Sequence, residues 1–294
     1  MSFDTTNERT ASAAGTIQLD VKTVVNRIGF GTMRLPGPGI WGEPTNPTEA
    51  RAVLRRAVEL GANFIDTAVY YGPDVANRLI VETLYPYPAN LFIATKVGAR
   101  RGADKSWRAD MQPASLRAAC EENLRQLRLE QLHLVHCRHV ENSGVPFADS
   151  FAALAELQRE GKIRHLGVSN VTLAQLREAQ AIAPVVSVQN LYNLLHREGE
   201  EILEACTQER IVFSPFFPLA MGRLGQSEGP LLEIAQQHHA TTAQIALAWL
   251  LKRSPMLLVI PGTSSLNHLE ENFAAATIQL SDEEFHRLDT LEKQ

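Results

Sequence analysis

From about residue 28 onward, apolar positions fall into two alternating rhythms. Short runs rich in β-branched and aromatic residues read as strands: Ile28–Gly31, Asn63–Asp66, Leu91–Lys96, Leu132–Cys137, Ile163–Val168, Val185–Gln189, Ile211–Ser214 and Leu257–Ile260. Between them, segments such as Thr48–Leu60, Pro113–Leu127, Phe147–Glu160 and Thr172–Ala181 repeat apolar residues at intervals of three and four. That period predicts helices, each with one stripe to lay on a sheet. Asn46-Pro47 and Gln112-Pro113 mark helix starts, and Gly61 and Gly161 mark helix ends. Ahead of this series, Thr16–Asp20 and Val24–Ile28 alternate around a turn and predict a hairpin, while Met1 to Gly15 reads as a loosely held polar arm. A capping box of Ser281 and Glu284 opens an extra terminal helix, Ser281–Glu292.

The eight strand starts run from 28 to 257 in seven steps, about 33 residues each, the length of a βαβ unit. Eight such units close an α/β barrel, so the expected fold is a single (β/α)8 TIM-barrel domain over residues 16–294, with the hairpin at its start and the extra helix at its end. A doubly wound sheet would require G-x-G-x-x-G after its first strand, and Gly29-Phe-Gly-Thr-Met-Arg34 has arginine where the third glycine belongs.

Composition narrows the partners. The 28 Lys and Arg against 33 Asp and Glu give a formal charge of −5, without the dense positive field that phosphate backbones require. Cys120, Cys137 and Cys206 form no CxxC pair, as expected of a cytoplasmic chain with reduced thiols. The apolar stretch Ala243–Leu251 falls far short of the ~20 residues that span a bilayer, and the N-terminus has no apolar stretch behind a basic start.

In a (β/α)8 barrel, chemistry sits at the C-terminal ends of the strands. Here strand two ends at Asp66 with Tyr70 and Tyr71 following, strand three at Lys96, and strand four at His136-Cys-Arg138-His139. An acid, two bases and two phenols would therefore converge at the barrel mouth. The competing reading of Asp66 and Lys96 is a purely structural ion pair. His133, His136 and His139, three apart on a strand, do not share a face and make no metal-ligand set.

The spacing Asp66-Thr-Ala-x-x-Tyr71-Gly72, after Gly29-Phe-Gly-Thr32 and before Thr95-Lys96, resembles the signatures of the aldo-keto reductase family. The resemblance covers about Thr16 to Asn272. It implies NADPH as cofactor and a small-molecule carbonyl as substrate. Tyr71 is then the proton donor, Lys96 supplies the charge that lowers its pKa, and Asp66 holds Lys96. The same resemblance implies that Gly31 and Thr32 flank the cofactor, that Ser169 and Asn170 bind the carboxamide with Gln189, and that Phe213, with Ser214 and Pro215, stacks on the nicotinamide. Gly262, Thr263, Ser264 and His268 are placed on the adenosine phosphate, with Glu271 and Asn272 on the adenine.

Three positions depart from the family's usual pattern. Arg138 stands where a histidine is usual at strand four, and its guanidinium is expected to take over the orientation of the carbonyl. Gly262 and His268 stand where many members carry Lys and Arg, which predicts a weaker preference for NADPH. Ala99-Arg-Arg-Gly102, Leu84-Tyr-Pro-Tyr87 and Ser214-Pro-Phe-Phe-Pro-Leu219 resemble the bacterial branch of the family that includes a pyridoxal reductase. The implied substrate is pyridoxal or a similar aromatic aldehyde, stacked by Trp41, Phe216 and Phe217, with Arg138 or Arg101 facing its phenolate. The alternative is an NADPH-binding redox sensor or regulatory subunit with slow turnover.

Overall fold

The computed structural model describes residues 10–226 and 229–291. A hairpin of β1 (Thr16–Asp20) and β2 (Thr23–Asn26) precedes an alternation of strands and helices. In chain order these are β3 (Phe30–Gly31), α1 (Pro47–Glu59), β4 (Phe64–Asp66), α2 (Val75–Leu84) and β5 (Phe92–Val97). A small antiparallel pair follows, β6 (Ala99–Arg101) and β7 (Trp107–Ala109), then α3 (Pro113–Leu127), β8 (Leu132–Arg138), α4 (Phe147–Arg159), β9 (Ile163–Ser169) and α5 (Leu173–Ile182). The chain continues through β10 (Val185–Gln189), α6 (Glu200–Glu209), β11 (Val212–Phe213), α7 (Pro230–Gln237), α8 (Thr242–Arg253), α9 (Leu266–Ala274) and α10 (Asp282–Asp289).

β3, β4, β5, β8, β9, β10 and β11 form one parallel sheet in that spatial order. The eighth predicted strand, Leu257–Ile260, joins it through single bridges, Leu257 to Phe213 on one side and Val259 to Ile28 on the other. The Gly29 N–H donates to Val259 O and the Leu258 N–H to Phe213 O, so the ring is closed. Pro255 and Pro261 bound this segment and have no N–H to donate, which keeps its ladder short. The half-buried Arg27 guanidinium locks the seam by donating to the carbonyls of Leu251 and Ser254, at the end of α8, and of Leu257.

Period-two alternation sorts the strand residues into two cores. Ile65, Ile93, Val135, Val188, Phe213 and Val259 face outward into the layer shared with the helices. Phe64, Phe92, Leu134, Val212 and Leu258 face inward and, with Ile17 and Val25 of the hairpin, fill the N-terminal end of the barrel. Toward the C-terminal end the buried interior turns polar, with Asp66, Lys96, His136, Ser187, Gln189 and Ser214.

Of the polar arm expected over 1–15, residues 1–9 lie outside the described residues. Ala11–Ala14 instead form a 3-10 turn fastened to the barrel, with Ala11 fully buried and its N–H donating to Leu60 O. The terminal helix is capped by Ser281 and Glu284 as expected; Glu292 lies outside the described residues.

Candidate active site

Asp66 and Lys96 end adjacent strands on the inward face and meet there. Lys96 Nζ stands 2.7 Å from Asp66 Oδ2 and donates to Thr67 O at 3.0 Å, while Gln189 Nε2 donates to Asp66 Oδ1 at 2.8 Å. The two side chains are 4 % and 3 % exposed, so neither charge is shared with solvent. A polar network stitches the same strand ends from the outer face. Thr67 Oγ1 donates to Asn77 Oδ1, and Thr95 Oγ1 and Asn77 Nδ2 both donate to Asn123 Oδ1.

Tyr70 and Tyr71 follow β4 and lie over this pair. Lys96 Nζ is 4.8 Å from the centre of the Tyr71 ring. Burial, and then the Asp66 carboxylate, push the Tyr71 pKa above its ordinary value, and only Arg138 pulls it down. The net shift is thus opposite to the expected lowering, because desolvation of the phenolate outweighs the cations around it.

On β8, Leu134, His136 and Arg138 share the inward face by period two. His136 is fully buried, with Nε2 3.0 Å from Ser187 Oγ, in space left by Gly167, where a Cβ would come within 2.6 Å of the imidazole. Burial, then Lys96, hold its pKa down at about 3. Between pH 3 and 6.5 the unfolded chain binds a proton that the folded chain refuses, so stability falls as pH drops below 6.5. From pH 7 to pH 5 this residue is expected to cost about 2 kcal/mol of unfolding free energy. Urea melts at both pH values check it, with His136→Gln flattening the difference by that amount.

One cavity of about 720 Å³ covers the mouth, within the range of small-molecule and cofactor pockets. At one end it is lined by Asp66, Tyr70, Tyr71, Lys96, Arg138 and Gln189, and at the other by Gly262, Thr263, Ser264, His268, Glu271 and Asn272. Gly31, Phe216 and Phe217 also line it. Gly262 lies so close to β3 that a Cβ would fall 2.4 Å from Gly31 O, which leaves no room for a side chain there.

Several expected residues sit elsewhere. Phe213 points outward and packs edge-on against Tyr192, because strand alternation sends Val212 inward; Phe216 takes the wall, 5.5 Å from the Arg138 guanidinium. Ser214 Oγ donates to Leu258 O and Thr32 Oγ1 to Asp66 O, so both brace the strands, and Pro215 is buried beside Ser214. Ser169 is fully buried at the end of β9, 3.5 Å from Arg138 Nη1, and Asn170 Nδ2 donates to His139 O.

Trp41 is drawn off the cavity wall by Arg101, whose guanidinium lies 5.2 Å from its ring and 4.3 Å from that of Trp107. Arg101 also donates to the carbonyls of Gly39, Ile40 and Lys105, so it is a rivet between loops and is not free for a phenolate. Trp107, on the unforeseen β6–β7 pair, joins the wall instead. A turn at Gly102–Lys105 between two short polar runs was its only local signal. Arg34, Leu219, Met221 and Thr241–Ala243 are among the further lining residues that also went unread.

A closed parallel barrel with a buried acid–lysine pair and tyrosines at its C-terminal mouth defines a (β/α)8 enzyme. The chain belongs to the aldo/keto reductase family, whose sequence model matches residues 27–293. It is 45% identical over 287 residues to pyridoxine 4-dehydrogenase of Escherichia coli, covering 96% of this chain and all of that protein. A thermostable aldo-keto reductase bound to the inhibitor epalrestat superposes with a TM-score of 0.81 at 31% identity, over 94% of this chain and 98% of that one. An aldo-keto reductase from Klebsiella pneumoniae in complex with NADPH gives 0.79 at 28% identity, over 93% of each chain. Family membership makes the chain an NADP-dependent oxidoreductase.

The residues present fit that cofactor. The N-terminal amides of α9 lie beside Thr263 and Ser264; its cap residue Ser265 makes no side-chain cap bond, and its first turn carries no acid. Such a helix end receives a phosphate. The exposed Arg34 adds a cation to the same cavity.

Proposed function

We propose that this chain reduces an aromatic aldehyde, pyridoxal or a similar planar phenolic compound, to its alcohol with NADPH, using Tyr71 as proton donor, and that residues 16–294 act as one barrel domain. A bound reduced nicotinamide supplies a hydride to the carbonyl carbon. Everything else in the step falls to the chain's own side chains.

Tyr71 Oη donates its proton to the carbonyl oxygen as negative charge develops there. Burial keeps Tyr71 protonated at rest, the form a donor must have. Arg138, always charged, lies near enough to favour a developing oxyanion over a neutral carbonyl. Asp66 and Gln189 fix Lys96 beneath the Tyr71 ring, so the donor's surroundings are set before substrate arrives. Gly262, Thr263, Ser264, His268, Glu271 and Asn272 would hold the adenosine end of the cofactor; Gly31, Ser169, Asn170 and Gln189 would flank its nicotinamide end. Phe216, Phe217 and Trp107 supply flat apolar surface for an aromatic ring.

The observation that carries this reading is the single cavity joining the Asp66, Tyr71 and Lys96 cluster to the amino end of α9. The test is NADPH consumption with pyridoxal and an aldehyde panel, with products identified by mass spectrometry. Multiple turnovers are expected. NADPH should be preferred over NADH about tenfold, the lower end of what a phosphate held by several hydrogen bonds gives, since no lysine can stand at Gly262. Equal dissociation constants for the two cofactors would remove the phosphate site, and a single turnover with retained cofactor would replace the enzyme by a sensor.

A further inference from the structure

Tyr70 is part of the cavity wall, yet the reduction described above gives its hydroxyl nothing to do. The residue is 4 % exposed, and its Oη is buried without a hydrogen-bond partner among the described residues. Its ring is wedged edge-on between Tyr71, 5.4 Å away, and Trp107, 5.7 Å away. Phenylalanine would fill that wedge equally well and would leave no polar atom unpaired. A buried hydroxyl without a partner costs free energy, and in a native protein it calls for a reason.

Its surroundings say what would satisfy it. The neighbouring cation at this end of the cavity is Arg138, which has no carboxylate partner among the described residues and only a long contact, 3.5 Å, to Ser169 Oγ. Lys96, by contrast, is neutralised by Asp66 at 2.7 Å. This corner therefore carries one uncompensated positive charge beside one unused hydroxyl. A phenol donating toward a region of positive potential is best met by an acceptor oxygen that is itself anionic.

We propose that Tyr70 is a specificity-determining residue whose hydroxyl donates to an oxygen substituent on the substrate's aromatic ring, adjacent to the aldehyde and in its phenolate form. The proposal rests on the reading of the chain as a reductase of aromatic aldehydes and adds to it the group that tells a phenolic aldehyde from an unsubstituted one. Tyr71 delivers the proton and Tyr70 reads the ring.

The experiment compares the wild-type enzyme with Tyr70→Phe, a change that keeps the ring and its packing. The substrates are 2-hydroxybenzaldehyde and benzaldehyde, reduced with NADPH. The ratio of kcat/KM for the hydroxylated over the plain aldehyde should fall about 10- to 100-fold in the variant, carried mainly by KM. A ratio unchanged within about twofold means that water or nothing serves the hydroxyl, and overturns the proposal. Collapse of kcat on both aldehydes would make Tyr70 the proton donor and overturn it equally.

A binding arm separates this inference from the reductase reading. With NADP+ present, 2-hydroxybenzyl alcohol and benzyl alcohol are titrated by tryptophan fluorescence, using Trp107 against Tyr70 as reporter. A preference for the hydroxylated ligand in wild type that Tyr70→Phe loses would sustain the recognition role even if neither aldehyde were turned over. Absence of any preference in wild type would remove it.

Discussion

Tyr71→Phe is expected to lower the rate of carbonyl reduction by two to four orders of magnitude, about what a general acid contributes. The substitution keeps the buried ring beside Lys96 and Tyr70, so folding and cofactor affinity should hardly move. The pH dependence follows from the direction of the shift. Burial and Asp66 hold the Tyr71 pKa above its ordinary value of 10.0, so the donor stays protonated through neutral pH. The reduction rate should therefore show no loss from Tyr71 ionisation between about pH 5 and 8. Arg138 is the charge that pulls this pKa down, so Arg138→Met should move any basic limb upward while slowing the reduction. Full activity in Tyr71→Phe, measured by NADPH consumption at saturating aldehyde, would end its assignment as donor.

Lys96→Met is expected to damage both stability and rate. It leaves the Asp66 carboxylate, 4 % exposed, with only the Gln189 amide as partner, and stranding one member of a buried ion pair costs about 3–5 kcal/mol. Thr67 O also loses its donor. Unfolding in urea should show that loss at neutral pH. The double substitution Lys96→Met with Asp66→Leu should recover much of the stability, because no uncompensated charge remains. Activity should stay low in both variants, since the ammonium also sets the field beneath Tyr71. Equal recovery of rate and stability in the double variant would reduce the pair to a structural ion pair, the competing reading that the sequence left open.

Much of the architecture was legible because it is written locally. Helix α3 begins and ends where its apolar period and Pro113 said it would, and Thr172 caps α5 through the box it makes with Gln175. Asp66, Lys96 and Arg138 could be placed on inward faces at strand ends from period two alone. The same rule applied to Phe213 would have turned it outward, since Val212 and Phe213 cannot both face in; the motif's likeness to a stacking aromatic overrode the alternation.

The sequence by itself determined the order of strands and helices, the end of the barrel where chemistry collects, and which charged residues stand there. Each of these depends on residues within a few turns or one strand of each other. The tertiary structure alone decided how Leu257–Ile260 closes the ring, that Arg101 is consumed between Trp41 and Trp107, and that Trp107 takes the place expected of Trp41 in the wall. It also decided the sign of the Tyr71 shift. Desolvation depends on atoms brought in from every neighbouring strand and loop, and a charge such as Lys96 acts on Tyr71 only after its own partner has been counted. The partner, Asp66, was already expected from the strand ends, but the enclosure cannot be read from spacing along one chain, because residues tens of positions apart set it.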